Sequence, residues 1–93
     1  MCYFFADGKT TYLVAIGDGR KYIIDHTLEE LDSMLNPDQF FRISRKYIVN
    51  FDCVHEVKGL ISSKLEVRLS QPCEHDLSVS RERIHDFKRW MDR

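Results

Sequence analysis

Two kinds of residue in this chain could do chemistry. The first are thiol–imidazole pairs: Cys53-Val54-His55 and Cys73-Glu74-His75 each place a cysteine two residues before a histidine. In an extended strand, residues two apart point to one face. Each pair could then offer a thiolate and an imidazole together, and both pairs would make a Cys2His2 zinc set. The usual structural-zinc knuckle, Cys-x-x-Cys or slightly longer, is missing. The competing reading makes Cys53 a small buried apolar residue and puts His75 in an exposed turn, with His26 and His85 as plain surface residues. The second kind is basic. The segment "FFRISRKYIVN", residues 40–50, sets Arg42, Arg45 and Lys46 into an aromatic and β-branched run that contains no acid. Cations without carboxylate partners at an exposed bend are placed to bind, and a basic edge can meet phosphates. The alternative is that all three pair with acids of "EELDSML" or another distant segment.

Catalysis has less support. The sequence holds no nucleophile elbow, P-loop or dinucleotide fingerprint. Its acids are scattered over turns and helix faces, so no constellation stands at chemically meaningful spacing. The expectation is a non-enzyme that needs no cofactor.

The elements that must carry these residues are short strands separated by turn residues. "CYFFA", "TTYLVAI" and "KYIID" are strand-like, with Asp7-Gly8 and "GDGR" as the turns between them. Tyr12, Val14 and Ile16 share one face of the second strand. The pattern then becomes helical in "HTLEELDSMLNPDQ", where Leu28, Leu31, Met34 and Leu35 recur at helical spacing. Thr27 and Glu30 have the spacing of a capping box, and Pro37 disfavours helix at Asn36. Strands resume at "QFFRI", "KYIVNF", "CVHEV", "KLEVRLS" and "HDLSVS". Leu65, Val67, Leu69, Leu77 and Val79 are predicted to face inward, with "QPCE" turning the chain between the last two. "SRERIHDFKRWMDR" closes as a helix, with Ser80 at the N-cap and Ile84, Phe87 and Met91 on one face beside Trp90. Residues 44–46 read as a bend, which would expose Arg45 and Lys46 on a rigid sheet.

Bulk properties fit one small domain. The chain has 93 residues, 43% of them hydrophobic and 12% aromatic, enough for a single modest core. No apolar run approaches the roughly 20 residues of a membrane span, and no signal peptide is visible. Three widely spaced cysteines suit reduced thiols in a cytoplasmic protein. Fourteen basic residues against fifteen acidic leave a net charge of −1, less basic than a typical nucleic-acid domain. Distribution matters more. The acids concentrate at 25–38, while residues 42–50 and 81–93 lean basic, so one edge could still meet phosphates.

"FFRISRKYIVNFDCVHEV" resembles the core motif of the LytTR DNA-binding domain family, F-x-R-x-H-R-S-aromatic-aliphatic-V-N followed by an aliphatic strand. Ser44, Arg45, Lys46, Tyr47, Val49 and Asn50 stand at the corresponding places. "DLSVSRERIHDFKRWMDR" is similar to the family's closing strand, V-S-R and short helix. "CYFFADGKTTYLVAIGDGRKYIIDHTLEELDSML" resembles its hairpin, third strand and helix. Ser44 replaces the usual His and Lys46 the usual Ser. Residues 1–93 then form one domain in which the family's first strand or two, upstream of "CYFFADG", is not found.

The resemblance implies a mostly-β fold: small antiparallel sheets stacked as an elongated β-sandwich, with one mid-chain helix and a short C-terminal helix. It implies sequence-specific binding of double-stranded DNA by loops entering the major groove. Thr11 at the first hairpin, Arg45 at the bend and Arg81 after the last strand would contact bases. Lys9, Lys46 and Arg83 would meet phosphates, and Ser80 would bond phosphate or only cap the helix. Arg42 is read as a structural strand residue and Asn50 as bonding local backbone. Further expectations are a second copy on paired half-sites and input from a receiver domain or sensor kinase outside this chain. A protein-interaction module using the basic bend, or a zinc-stabilised β domain, are the alternatives.

Overall fold

Large apolar residues on both sides of one sheet organise this molecule. The computed structural model describes all residues except 1, 16, 18, 61–63, 71–74 and 93. Strands β1 (Tyr3–Asp7), β2 (Thr10–Val14), β3 (Lys21–Ile24), β4 (Phe40–Arg42) and β5 (Tyr47–Asn50) form an antiparallel sheet in the order β3-β2-β1-β5-β4. β1 lies at its centre, and Tyr3, Phe4 and Phe5 are all buried. Strand side chains alternate between faces. Tyr3 and Phe5 therefore pack with Val14 and Val49 on one side, while Phe4 packs with Ile48 on the other.

Helix α1 (Leu28–Met34) covers the Phe4 face with Leu28 and Leu31. It begins in the predicted capping box: Glu30 N–H donates to Thr27 Oγ1 at 3.1 Å, and Thr27 N–H donates to Glu30 Oε1 at 2.9 Å. Met34 departs from expectation, with 61% of its surface exposed. At 100° per residue it lies about 60° beyond Leu31 and falls off the stripe that Leu28, Leu31 and Leu35 define.

The Tyr3 face is covered by a second antiparallel sheet, ordered β6-β7-β8, of β6 (Val54–Leu60), β7 (Lys64–Leu69) and β8 (Ser78–Val79). Leu65, Val67, Leu77 and Val79 are buried against it as predicted, and Leu69 packs at its margin. A 3-10 turn at Arg81–Arg83 leads into α2 (Ile84–Met91). Phe87 of α2 is fully buried, its ring centroid 5.5 Å from that of Phe41. Trp90 Nε1 donates to the Pro37 carbonyl at 2.8 Å, which ties α2 to the segment after α1. The principal extents, 35 × 26 × 26 Å, give the elongated sandwich expected.

Three local expectations change. Ser80 stands at the N-cap position of the 3-10 turn, but its side chain makes no capping bond; Arg83, not Ser80, precedes α2. Cys53 and His55 do not share a face, because Cys53 closes a 3-10 turn (Phe51–Cys53) instead of lying in a strand. Its side chain is buried in the core while His55 is exposed. His75 does not lie free in a turn. Its ring sits 4.3 Å from the Phe5 centroid, and its Nδ1 is 3.0 Å from the Tyr47 hydroxyl. Ile16, Cys73 and the turn at 71–74 lie outside the described residues.

Candidate nucleic-acid interface

Strand register gathers three connections at one end of the five-stranded sheet. β1 pairs with β2 down to Asp7 opposite Thr10, leaving Gly8 and Lys9 as the turn. Gly8 has φ +63°, a backbone conformation that suits glycine. β1 also pairs with β5, Phe5 opposite Tyr47, and the Ala6 N–H donates to the Lys46 carbonyl at 3.0 Å. The hairpin tip therefore lies beside the bend at 44–46. The third connection arrives from the other sheet: the Ser80 N–H donates to the Ile43 carbonyl at 2.7 Å, which sets Arg81 next to that bend. Lys9, Arg45, Lys46 and Arg81 are all exposed. Among the described residues, none of the four has an acid within ion-pairing distance.

The three basic residues of the opening motif divide by role. Arg42, at the end of β4, has a side chain only 10% exposed and pairs with Glu29 of α1 at 2.8 Å. Its Nε donates to the Ser44 carbonyl at 3.2 Å and its Nη2 to the Arg45 carbonyl at 3.0 Å. The alternative of pairing with "EELDSML" thus holds for Arg42, which is structural as expected, and fails for Arg45 and Lys46. The hydrogen bond from Arg42, with backbone hydrogen bonding next, holds the Glu29 carboxyl below the usual carboxylate range.

The remaining expected positions separate as well. Thr11 is not at the hairpin tip. It sits within β2 opposite Ala6 and Ile24 and is 5% exposed, so it presents almost no surface to a base. Arg83 is half-buried and donates from Nη1 to the Arg42 carbonyl at 3.3 Å. Ser80 is half-buried between Val79 and Arg81. Asn50 is local, as expected: its Oδ1 accepts from the Asp52 N–H at 3.0 Å and from Gln39 Nε2. The sequence offered the acids of "EELDSML" as partners but did not single out Glu29, whose bond to Arg42 spans 13 residues of chain.

No helix of the described residues is long and apolar enough to cross a membrane. Among those residues, no group of three or more His, Cys, Asp and Glu is placed to hold a metal ion.

This two-sheet β domain presents four exposed cations from its inter-strand connections, without acidic partners among the described residues. The family profile described as LytTr DNA-binding domain matches residues 2–92. The chain belongs to the LytTR DNA-binding domain family. A solved structure is similar over nearly the whole chain: the LytTr DNA-binding domain of a protein from Bacillus cereus described as a methyl-accepting/DNA response regulator. It superposes with a TM-score of 0.85 at 22% identity, covering 99% of this chain and 81% of that one. No curated protein matches the chain.

Proposed function

We propose that this domain binds double-stranded DNA sequence-specifically, as the cytoplasmic effector of a bacterial transcription regulator. Its signal comes from a receiver domain or sensor kinase of a two-component system. The observation that carries this reading is the convergence of Lys9, Arg45, Lys46 and Arg81, exposed and without acidic partners among the described residues, at one end of a rigid sheet. Family membership supplies the class of ligand. Arg45 and Arg81 read base edges in the major groove, where a bidentate arginine–guanine contact discriminates by roughly 1–3 kcal/mol. Lys9 and Lys46 meet phosphates, which fixes register without reading sequence. Ser80 and Arg83, half-buried beside them, border the contact.

A net charge of −1 keeps the sequence-independent attraction to DNA small. Useful occupancy then depends on base contacts and on a second copy bound at a paired half-site.

The test is selection of duplexes from a randomised library at low salt, with the wild type and an Arg45→Ala/Arg81→Ala variant in parallel. The wild type should enrich a repeated motif, and the variant should lose it. A motif retained by the variant would move the reading surface elsewhere. With no enrichment by the wild type, docking of an acidic protein partner on the same cations becomes the leading function.

A further inference from the structure

The 44–46 bend closes with Ile43 N–H donating to the Tyr47 carbonyl at 3.1 Å and Lys46 N–H to Ser44 Oγ at 3.3 Å, but its own carbonyls are held from outside it. A reading loop must present its side chains to DNA and keep its carbonyl oxygens away from phosphates, which would repel them. All three carbonyls of the bend are turned to donors within the protein. Ser44 and Arg45 accept from the Arg42 guanidinium, at 3.2 and 3.0 Å, and Lys46 accepts from the Ala6 N–H at 3.0 Å. One side chain thus fixes the two carbonyls that precede Lys46, and it is fixed in turn by Glu29 at 2.8 Å. A guanidinium can do this because its donors form a rigid planar fork. The same residue's own carbonyl accepts from Arg83 Nη1 at 3.3 Å, and the neighbouring Ile43 carbonyl accepts from the Ser80 N–H at 2.7 Å. The Arg45 bend and the Arg81 turn are therefore braced against one another through β4.

We infer that Arg42 and Glu29 are positioning residues for base recognition: the Glu29–Arg42 pair, reaching from α1, sets the geometry from which Arg45 reads its base. This inference rests on the DNA reading above. It assigns to α1 a part in specificity that acts through Arg42. The pair acts through the shape of the bend and not through charge. Glu29 is an acid that, on charge alone, weakens DNA binding, so its removal should raise non-specific affinity while lowering discrimination. Those opposite signs separate positioning from simple electrostatics.

The experiment uses Glu29→Gln and Arg42→Lys in the full chain. Glu29 is 70% exposed and the capping box is made by Glu30, so Glu29→Gln leaves the fold intact. Two readouts are taken. Hydrogen exchange of the free protein should show the amides of residues 44–47 exchanging faster in both variants, with the central β1 amides unchanged. Competition binding should show the ratio of affinity for the selected duplex to that for a duplex changed at the base pair Arg45 reads. That ratio should fall about tenfold, within what one bidentate base contact supplies. Arg42→Lys keeps the charge but cannot span three acceptors, so it should not rescue. In an Arg45→Ala background, Glu29→Gln should change the ratio no further. Discrimination kept intact by both variants overturns the inference alone, whatever the exchange rates do. A wild type that does not discriminate overturns the DNA reading and this inference with it.

Discussion

The β1–β2 turn and the β4–β5 bend stand side by side at one end of the same sheet, and the bend has supports from other elements that the turn does not need. The first closes by itself: Asp7 faces Thr10, Gly8 takes the left-handed conformation, and Lys9 extends outward. The second is longer and contains no glycine. Its carbonyls are satisfied by Arg42 and by the Ala6 N–H, and its far side is braced by Ser80 and Arg83. The difference suits the roles proposed for each. A lysine meeting phosphate needs only to be charged and near. An arginine reading a base needs its Cα fixed, because a bidentate contact tolerates little displacement.

The largest effects that could break this comparison lie at the two arginines. Arg45→Ala and Arg81→Ala should each cost roughly 1–3 kcal/mol of discrimination at one base pair and little on unrelated DNA. A competition series over single-base variants measures this, and equal losses on every sequence would reduce both residues to phosphate contacts.

Gly8→Ala sharpens the comparison from the other side. A Cβ there meets no atom within 4 Å, so the cost is conformational alone, about 1–2 kcal/mol for a left-handed alanine. Chemical denaturation should show that loss of stability, while base discrimination should stay unchanged, since the proposed reading gives the hairpin only a phosphate contact.

Smaller still, Lys9→Ala and Lys46→Ala should each lower the slope of log affinity against log salt by about one, alike for target and random DNA. A sequence-dependent loss at Lys46 would mean that the bend reads with both of its cations.

The smallest effect is one of pH. Glu29 is held below its ordinary 4.5 chiefly by the hydrogen bond from Arg42, and Glu30 below the same value chiefly by the Thr27 N–H. A depressed carboxylate contributes stability above its ordinary pKa and loses that contribution as the pH falls through the folded value. The contribution of Glu29 and Glu30 to the melting temperature should therefore be constant across neutral pH and be lost below about 4.5, so that the wild type declines there more steeply than a Glu29→Gln/Glu30→Gln variant, which lacks both groups.

Much of the scaffold was legible in the sequence because its signals are local. The capping box needs only Thr27 and Glu30, and the inward alternation of Leu65 and Val67 needs only a period of two. Phe41, Ile43, Tyr47 and Val49 share a face across the bend, as their common parity suggests, and all line the larger core. What could not be read depends on register or on distant partners. Thr11 is buried because the turn takes Gly8 and Lys9 and starts β2 at Thr10, and a shift of one residue moves a side chain to the other face. His75 looked like a turn residue because nothing local reveals that Tyr3, Phe5 and Tyr47 gather around it. Arg42 was read as structural and Arg45 as exposed, but the partner that holds Arg42 was not legible three residues away in the same basic run. Only the fold gives Arg42 a carboxylate from α1 and leaves Arg45 outside.

The most direct test of the account sets Arg45→Ala against Lys46→Ala on one selected duplex and its complete set of single-base variants. Arg45→Ala should abolish the preference at a single base pair and spare the others. Lys46→Ala should weaken every duplex by the same factor and leave all preferences in place. Two adjacent residues that change the same positions in the same way would contradict the division between an anchored reader and a phosphate contact.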